Sequence, residues 1–192
     1  MSPSSVLSVV VSVIDVLEDL SVVYHLGGSF ASTIHGVPRQ TRDVDIVVDL
    51  SPTQGGRLVS ALAATFYIDE IAVADAVARR GSFNAIHLAT GFKVDFFVKG
   101  NEEYDQVELE RSVSEMIVPD PPRLAAVKSA EDTVLRKLQW YKEGGGVSDR
   151  QWKDVLGVMK AQGSRLDAPY LDRWARLLGL LDLLKKARAE AE

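Results

Sequence analysis

Apolar residues recur at helical spacing over the first twenty positions. Leu7, Val10, Val11, Ile14 and Leu17, with Val13 beside them, form one stripe behind a cap at Ser4 or Ser5. Val22 to Leu26 is a β-branched and aromatic run stopped by Gly27-Gly28, which predicts a strand. Ser29 to His35 leaves room for two helical turns before Gly36 and Pro38. A second strand spans Asp43 to Leu50, and its apolar run after Asp45 suits a central place in a sheet. Ser51-Pro52 opens a helix to about Thr65, and an alanine-rich helix follows a short strand or loop within 68–80. Ser82 to Thr90 and Phe92 to Lys99 alternate in the strand period around Gly91, which predicts a hairpin. Glu102 to Arg111 reads as a polar helix, and Glu115 to Val118 as one more short strand.

Pro119, Pro121 and Pro122 then punctuate the chain, and everything beyond reads as helix: 129–143, 148–162, 167–178 and 180–189. The expected class is α/β, of the mixed α+β kind. A small mixed sheet with flanking helices (1–122) precedes a C-terminal helical bundle packed on it (123–192). The apolar stretch from Val6 to Ile14 has no basic leader and runs into Asp15, Glu18 and Asp19. It is expected to be neither a signal peptide nor a membrane span.

Composition narrows the function classes. The net charge of −5 gives no bulk attraction for nucleic acid, so an RNA partner would need a local basic path, for which Arg39, Arg42, Arg79, Arg80 and Lys93 are candidates. With no cysteine, disulfides, zinc–thiolate sites and thiol nucleophiles are excluded, which fits a cytoplasmic protein. His25, His35 and His87 share no metal-ligand spacing.

The polar residues that interrupt the strands carry the chemistry. Asp43 and Asp45 flank Val44 on one strand and project to the same face. Two such carboxylates repel each other unless a cation lies between them, and Mg²⁺, or Mn²⁺, suits carboxylate oxygen. Asp95, between Val94 and Phe96 on another strand, supplies the third acid that one strand cannot. Lys93 shares its face. Three carboxylates holding metal can activate an attacking oxygen and stabilise a pyrophosphate leaving group. The Gly27-Gly28-Ser29 turn at a helix start offers N–H groups to phosphate oxygens, with the Ser29 hydroxyl as a further donor. Arg39 and Arg42 are candidate contacts to a triphosphate. Lys137 and Asp154 fall on consecutive helices. A register-setting salt bridge and a phosphate-reaching lysine oriented by its aspartate stand level as readings. Trp140 and Trp152 read as packing between those helices.

Gly28-Ser29, Asp43-Val44-Asp45 and Asp95 within Lys93-Val94-Asp95-Phe96-Phe97 resemble the motif set of the DNA polymerase β-like nucleotidyltransferase superfamily. Arg39-Gln40-Thr41-Arg42, Ala130-Glu131-Asp132, Lys137-Leu138 and Arg150-Gln151-Trp152-Lys153-Asp154 are similar to the AbiEii-like branch, toxins of type IV toxin–antitoxin systems. The resemblance spans about residues 22–160. It implies Mg²⁺-dependent transfer of a nucleoside monophosphate from an NTP such as ATP to a hydroxyl of an RNA end, tRNA in the toxin branch, or of a protein. An antitoxin would be a partner. Asp43, Asp45 and Asp95 would hold metal, Asp95 would also take the acceptor's proton, and Lys137 and Asp154 would match positions tied to activity. Gly28, Ser29, Arg39, Thr41 and Arg42 would bind nucleotide. Two rivals remain: a small-molecule, antibiotic-modifying nucleotidyltransferase, and a nucleotide-binding module without turnover.

Overall fold

A computed structural model describes residues 3–38 and 43–191. In chain order its first elements are α1 (Pro3–Asp19), β1 (Val23–Leu26), α2 (Gly28–His35), β2 (Asp43–Asp49), α3 (Pro52–Leu62), β3 (Phe66–Ile68), α4 (Glu70–Arg79), β4 (Ser82–His87) and β5 (Lys93–Val98). There follow α5 (Glu103–Glu110), β6 (Val113–Pro119), β7 (Pro122–Val127), α6 (Ala130–Glu143), α7 (Asp149–Gln162), α8 (Ala168–Leu177) and α9 (Leu181–Ala191). These form two compact units, Met1–Leu26 with Thr41–Val127, and Gly27–Gln40 with Lys128–Glu192. The mixed α/β class expected from the pattern is the class observed. No helix among the described residues is long and apolar enough to cross a membrane.

The first unit holds the sheet. Among the described residues its strands lie in the order β3-β4-β5-β2-β1-β7-β6. β2 runs parallel to β5 and antiparallel to β1, while β7 runs parallel to β1. Period-2 alternation gives β2 two different faces: Val44, Ile46 and Val48 are buried, and Asp43, Asp45, Val47 and Asp49 are half-buried opposite them. β4 and β5 repeat the division, with Phe83 and Phe96 stacked 4.7 Å apart on the buried side. On α1 the buried stripe is Val9, Val10, Val13, Ile14 and Leu17, while Leu7 and Val11 sit half-buried at its margins.

Three local readings need correction. The segment after the proline cluster is a strand, β7, paired with β6 across Pro119 and Pro122 and with β1 at Leu26–Val127. Arg123-Leu124-Ala125-Ala126-Val127 has little intrinsic strand preference, and its place between two strands overrides that. Phe66–Ile68 is strand β3, added to the sheet by pairing with β4. The helix before it ends at Leu62, short of Thr65.

Tyr24 on β1 donates its hydroxyl to Glu18 Oε1 at 2.8 Å. Burial, and then that hydrogen bond, push its phenol well above the usual range. A folded-state value raised above the unfolded one gives stability that is whole below about pH 10 and is lost as pH rises through the raised value. An ultraviolet titration should therefore find one of the five tyrosines ionising far later than the rest. Tyr24→Phe should remove that late transition and flatten the alkaline loss of stability.

The second unit is helical. Ser129, Ser148 and Asp167 accept hydrogen bonds from the backbone N–H groups of Asp132, Gln151 and Tyr170, which caps α6, α7 and α8 at the positions where the helical pattern begins. α2 joins this unit. Its His35 ring bonds the Lys128 carbonyl at 2.7 Å, and Gln162 donates to the His35 carbonyl at 2.7 Å. Gly36 lets α2 end against α7: a Cβ there would lie 2.8 Å from Val158 N and 2.9 Å from Gly157 C. Backbone atoms cannot turn aside, so Gly36→Ala should cost about 1–3 kcal/mol in urea denaturation.

Candidate active site

The candidate residues divide between the two units, and each set has its own geometry. In the first unit the parallel register sets Asp43 beside Lys93 and Asp45 beside Asp95. Neighbouring strands lie about 4.8 Å apart, so Asp45 and Asp95 face outward as a cross-strand pair, with Asp43 two residues along. Like charges in that arrangement repel. Lys93 meets the repulsion from within the cluster, its Nζ 2.7 Å from Asp95 Oδ2. The hydrogen bond to Asp95 acts most strongly on the lysine; desolvation opposes it, and the fields of Asp95, Asp43 and Asp45 add to it, so the ammonium is held above its ordinary value. Asn84, on β4, is the register partner of Asp95 on its other side.

The donor set suits a hard divalent ion: carboxylate oxygens from two strands, on one face, around a position that already attracts a cation. Among the described residues no three acids or histidines are drawn together as ready-made metal ligands, and the ammonium of Lys93 lies against Asp95.

In the second unit Gly28 opens α2 with φ 51, a left-handed conformation that explains the glycine. Ser29, 4% exposed, follows it, and its hydroxyl accepts from Arg150 Nη2 at 2.8 Å. One turn along α7, Asp154 accepts from Lys137 Nζ of α6 at 2.8 Å, with both side chains under a tenth exposed. One face of α7 thus brings Arg150 to the Gly-Ser turn and Asp154 to the lysine. A pocket of about 210 Å³ lies beside the pair, lined by Ser32, Val37, Lys153, Asp154 and Gly157.

Arg150 carried no assigned role in the chain pattern. Its i, i+4 spacing from Asp154 was the available signal, since it puts both on one helical face. Arg39, Thr41 and Arg42 lie outside the described residues. Of the other basic candidates, Arg79 pairs with Asp75 and Arg80 with Asp49. His25 bonds Ser112, and His87 bonds Thr90 against the Phe66 ring, so both are packed, partnered histidines. Trp140 and Trp152 are half-buried, and the Trp152 indole donates to Glu190 of α9.

No protein-family model matches this sequence, and no curated protein matches it. Solved structures do match its fold. The antibiotic-resistance factor ANT(2'')-Ia superposes with a TM-score of 0.56 at 14% identity, over 92% of this chain and 96% of its own. An antigenic nucleotidyltransferase-like protein from Paracoccidioides brasiliensis gives 0.56 at 16% identity, over 94% and 91%. A protein from Thermotoga maritima, provisionally a nucleotidyltransferase, gives 0.53 at 16% identity, over 80% and 96%. The chain has the nucleotidyltransferase fold.

Proposed function

We propose that the protein is a nucleotidyltransferase that uses Mg²⁺, or Mn²⁺, to transfer a nucleoside monophosphate from an NTP to an acceptor hydroxyl. The observation that carries this reading is the register that faces Asp45 with Asp95 and places Asp43 beside them, on a sheet of nucleotidyltransferase fold. In this reading Asp43, Asp45 and Asp95 hold the divalent cation, which when bound neutralises triphosphate charge and polarises the attacked phosphorus. Asp95 accepts the acceptor hydroxyl's proton. The acceptor oxygen then bonds to the α-phosphorus, the bond to the oxygen bridging toward the β-phosphate breaks, and pyrophosphate leaves with that electron pair. Gly28 and Ser29 contribute N–H and hydroxyl donors to phosphate oxygens, and Arg150 holds the Ser29 hydroxyl in place. Arg39, Thr41 and Arg42 are proposed nucleotide contacts, and Lys137 with Asp154 a charged pair serving the triphosphate.

The acceptor we propose is an RNA end or a protein hydroxyl, with the protein acting in the cytoplasm as the toxin of a toxin–antitoxin pair. The support is the resemblance of Arg39-Gln40-Thr41-Arg42, Lys137 and Asp154 to the toxin branch. The small-molecule alternative has its own support. ANT(2'')-Ia, also solved in complex with adenylyl-2''-tobramycin, matches this chain nearly end to end, with a TM-score of 0.51 over 96% of it. In addition, Arg79, Arg80 and Lys93 are each engaged by a different acid. Incubation with labelled NTPs, Mg²⁺ and a cell lysate tests the shared core. Label should pass to an acceptor with pyrophosphate release, and the Asp43→Ala/Asp45→Ala double variant should pass none. Growth arrest on expression, relieved by that variant, supports the toxin; antibiotic resistance supports the small acceptor. NTP binding without pyrophosphate release would reduce the protein to a binding module.

A further inference from the structure

Lys93 lies two residues before Asp95 on β5, on the same face, and is the register partner of Asp43 on β2. Its ammonium is 2.7 Å from Asp95 Oδ2 while its side chain is 44% exposed and that of Asp95 only 18%. The charge is thus held inside the acid cluster by a long stem with room to leave it. Most exposed lysine–aspartate pairs contribute little, about 0–1 kcal/mol, because water screens both ends. This one differs in location. The oxygen it occupies belongs to an acid whose cross-strand neighbour is also an acid, and a divalent cation needs that same oxygen. An ammonium and a doubly charged ion cannot share it, since their repulsion at such separation outweighs what either gains.

We propose that Lys93 is the resident counter-ion of the acid cluster: it holds Asp95 in place in the absence of metal, is displaced when a divalent cation binds, and thereby sets the affinity for that cation. The inference rests on the reading of Asp43, Asp45 and Asp95 as metal ligands. Lys93 is a positioning residue in this account, acting through Asp95. Its compact, strongly hydrated charge on a flexible stem suits reversible displacement better than the planar fork of an arginine.

Calorimetric titration of the full chain with Mn²⁺, without nucleotide, tests it. Lys93→Met should bind Mn²⁺ about tenfold more tightly than wild type, the effect of removing one competing charge from a part-exposed site. Lys93→Gln should also bind more tightly, and Lys93→Arg, which keeps the charge, should stay within about twofold of wild type. In chelator Lys93→Met should melt below wild type and gain more on adding Mn²⁺, because Asp95 then lacks the ammonium that lay against it. Unchanged or weaker Mn²⁺ binding by both neutral variants overturns the proposal, as does weakened NTP binding at unaltered Mn²⁺ affinity. Asp45→Asn separates the two levels. If it abolishes Mn²⁺ binding while the Lys93 variants change nothing, only the counter-ion role fails. If it binds Mn²⁺ as wild type does, the metal reading itself fails.

Discussion

Asp45→Asn should lower nucleotidyl transfer by at least about a thousandfold while leaving the fold intact. The substitution is nearly isosteric, and the side chain lies half-buried on the outward face of β2, away from the packed Val44, Ile46 and Val48. It removes one negative charge from a cross-strand pair of acids. In the unliganded protein that removal relieves repulsion, so the variant should be as stable as wild type or slightly more so. The loss belongs to the reaction. A carboxylate that fixes a Lewis-acid ion contributes several kcal/mol of transition-state stabilisation, and about 4 kcal/mol is a factor of about 10³ in rate. The measurement is single-turnover release of pyrophosphate, set beside urea denaturation of the same preparation. Asp43→Asn and Asp95→Asn should lower transfer to a similar degree, and Asp95→Asn should also lose the ion pair with Lys93. Activity within tenfold of wild type for any of the three would remove that acid from the proposed metal site.

The second large effect concerns Lys137 and Asp154. Their contact of 2.8 Å is buried, so removing either half singly takes from the other a charged partner in a site that water reaches poorly. Lys137→Ala or Asp154→Ala should therefore cost about 3–5 kcal/mol of stability, read as a fall in the urea midpoint at unchanged slope. The Lys137→Met/Asp154→Leu double variant replaces both charges by apolar groups of similar size and should regain most of that loss. Its activity decides between the readings that stood level in the sequence. A stable, inactive double variant means that the pair serves the reaction. A stable, active one means that it only joins α6 to α7.

Much of both units was legible before any coordinates. The helical pattern begins at Ser129, Ser148 and Asp167, and in the structure each of these short polar side chains accepts from an N–H group three residues on. The alternation through Asp43-Val44-Asp45 told which face each acid would share, and the hairpin put Lys93 and Asp95 together on one side of β5. β7 was missed for the opposite reason. Its alanines carry no strand signal, and it is a strand because β1 and β6 offer it hydrogen bonds on both sides.

The deepest division runs through the Gly27–Asp49 stretch. Its local content, a glycine at positive φ before Ser29 and two acids on one strand face, follows from side-chain chemistry and backbone sterics within a few residues. Those rules act on neighbours in the chain, so the chain alone dictates them. Which partners these residues meet is a different matter. Ser29 is bonded by Arg150, 121 positions away, and α2 packs in the helical unit although it lies between two strands of the sheet in sequence. Asp45 faces Asp95 only because β5 docks parallel to β2 in one particular register. Such choices are settled by burying whole faces together, and a one-residue slip would send every acid to the opposite side. The chain supplied the acids and their faces; the tertiary register decided which carboxylates face each other and put Lys93 beside them.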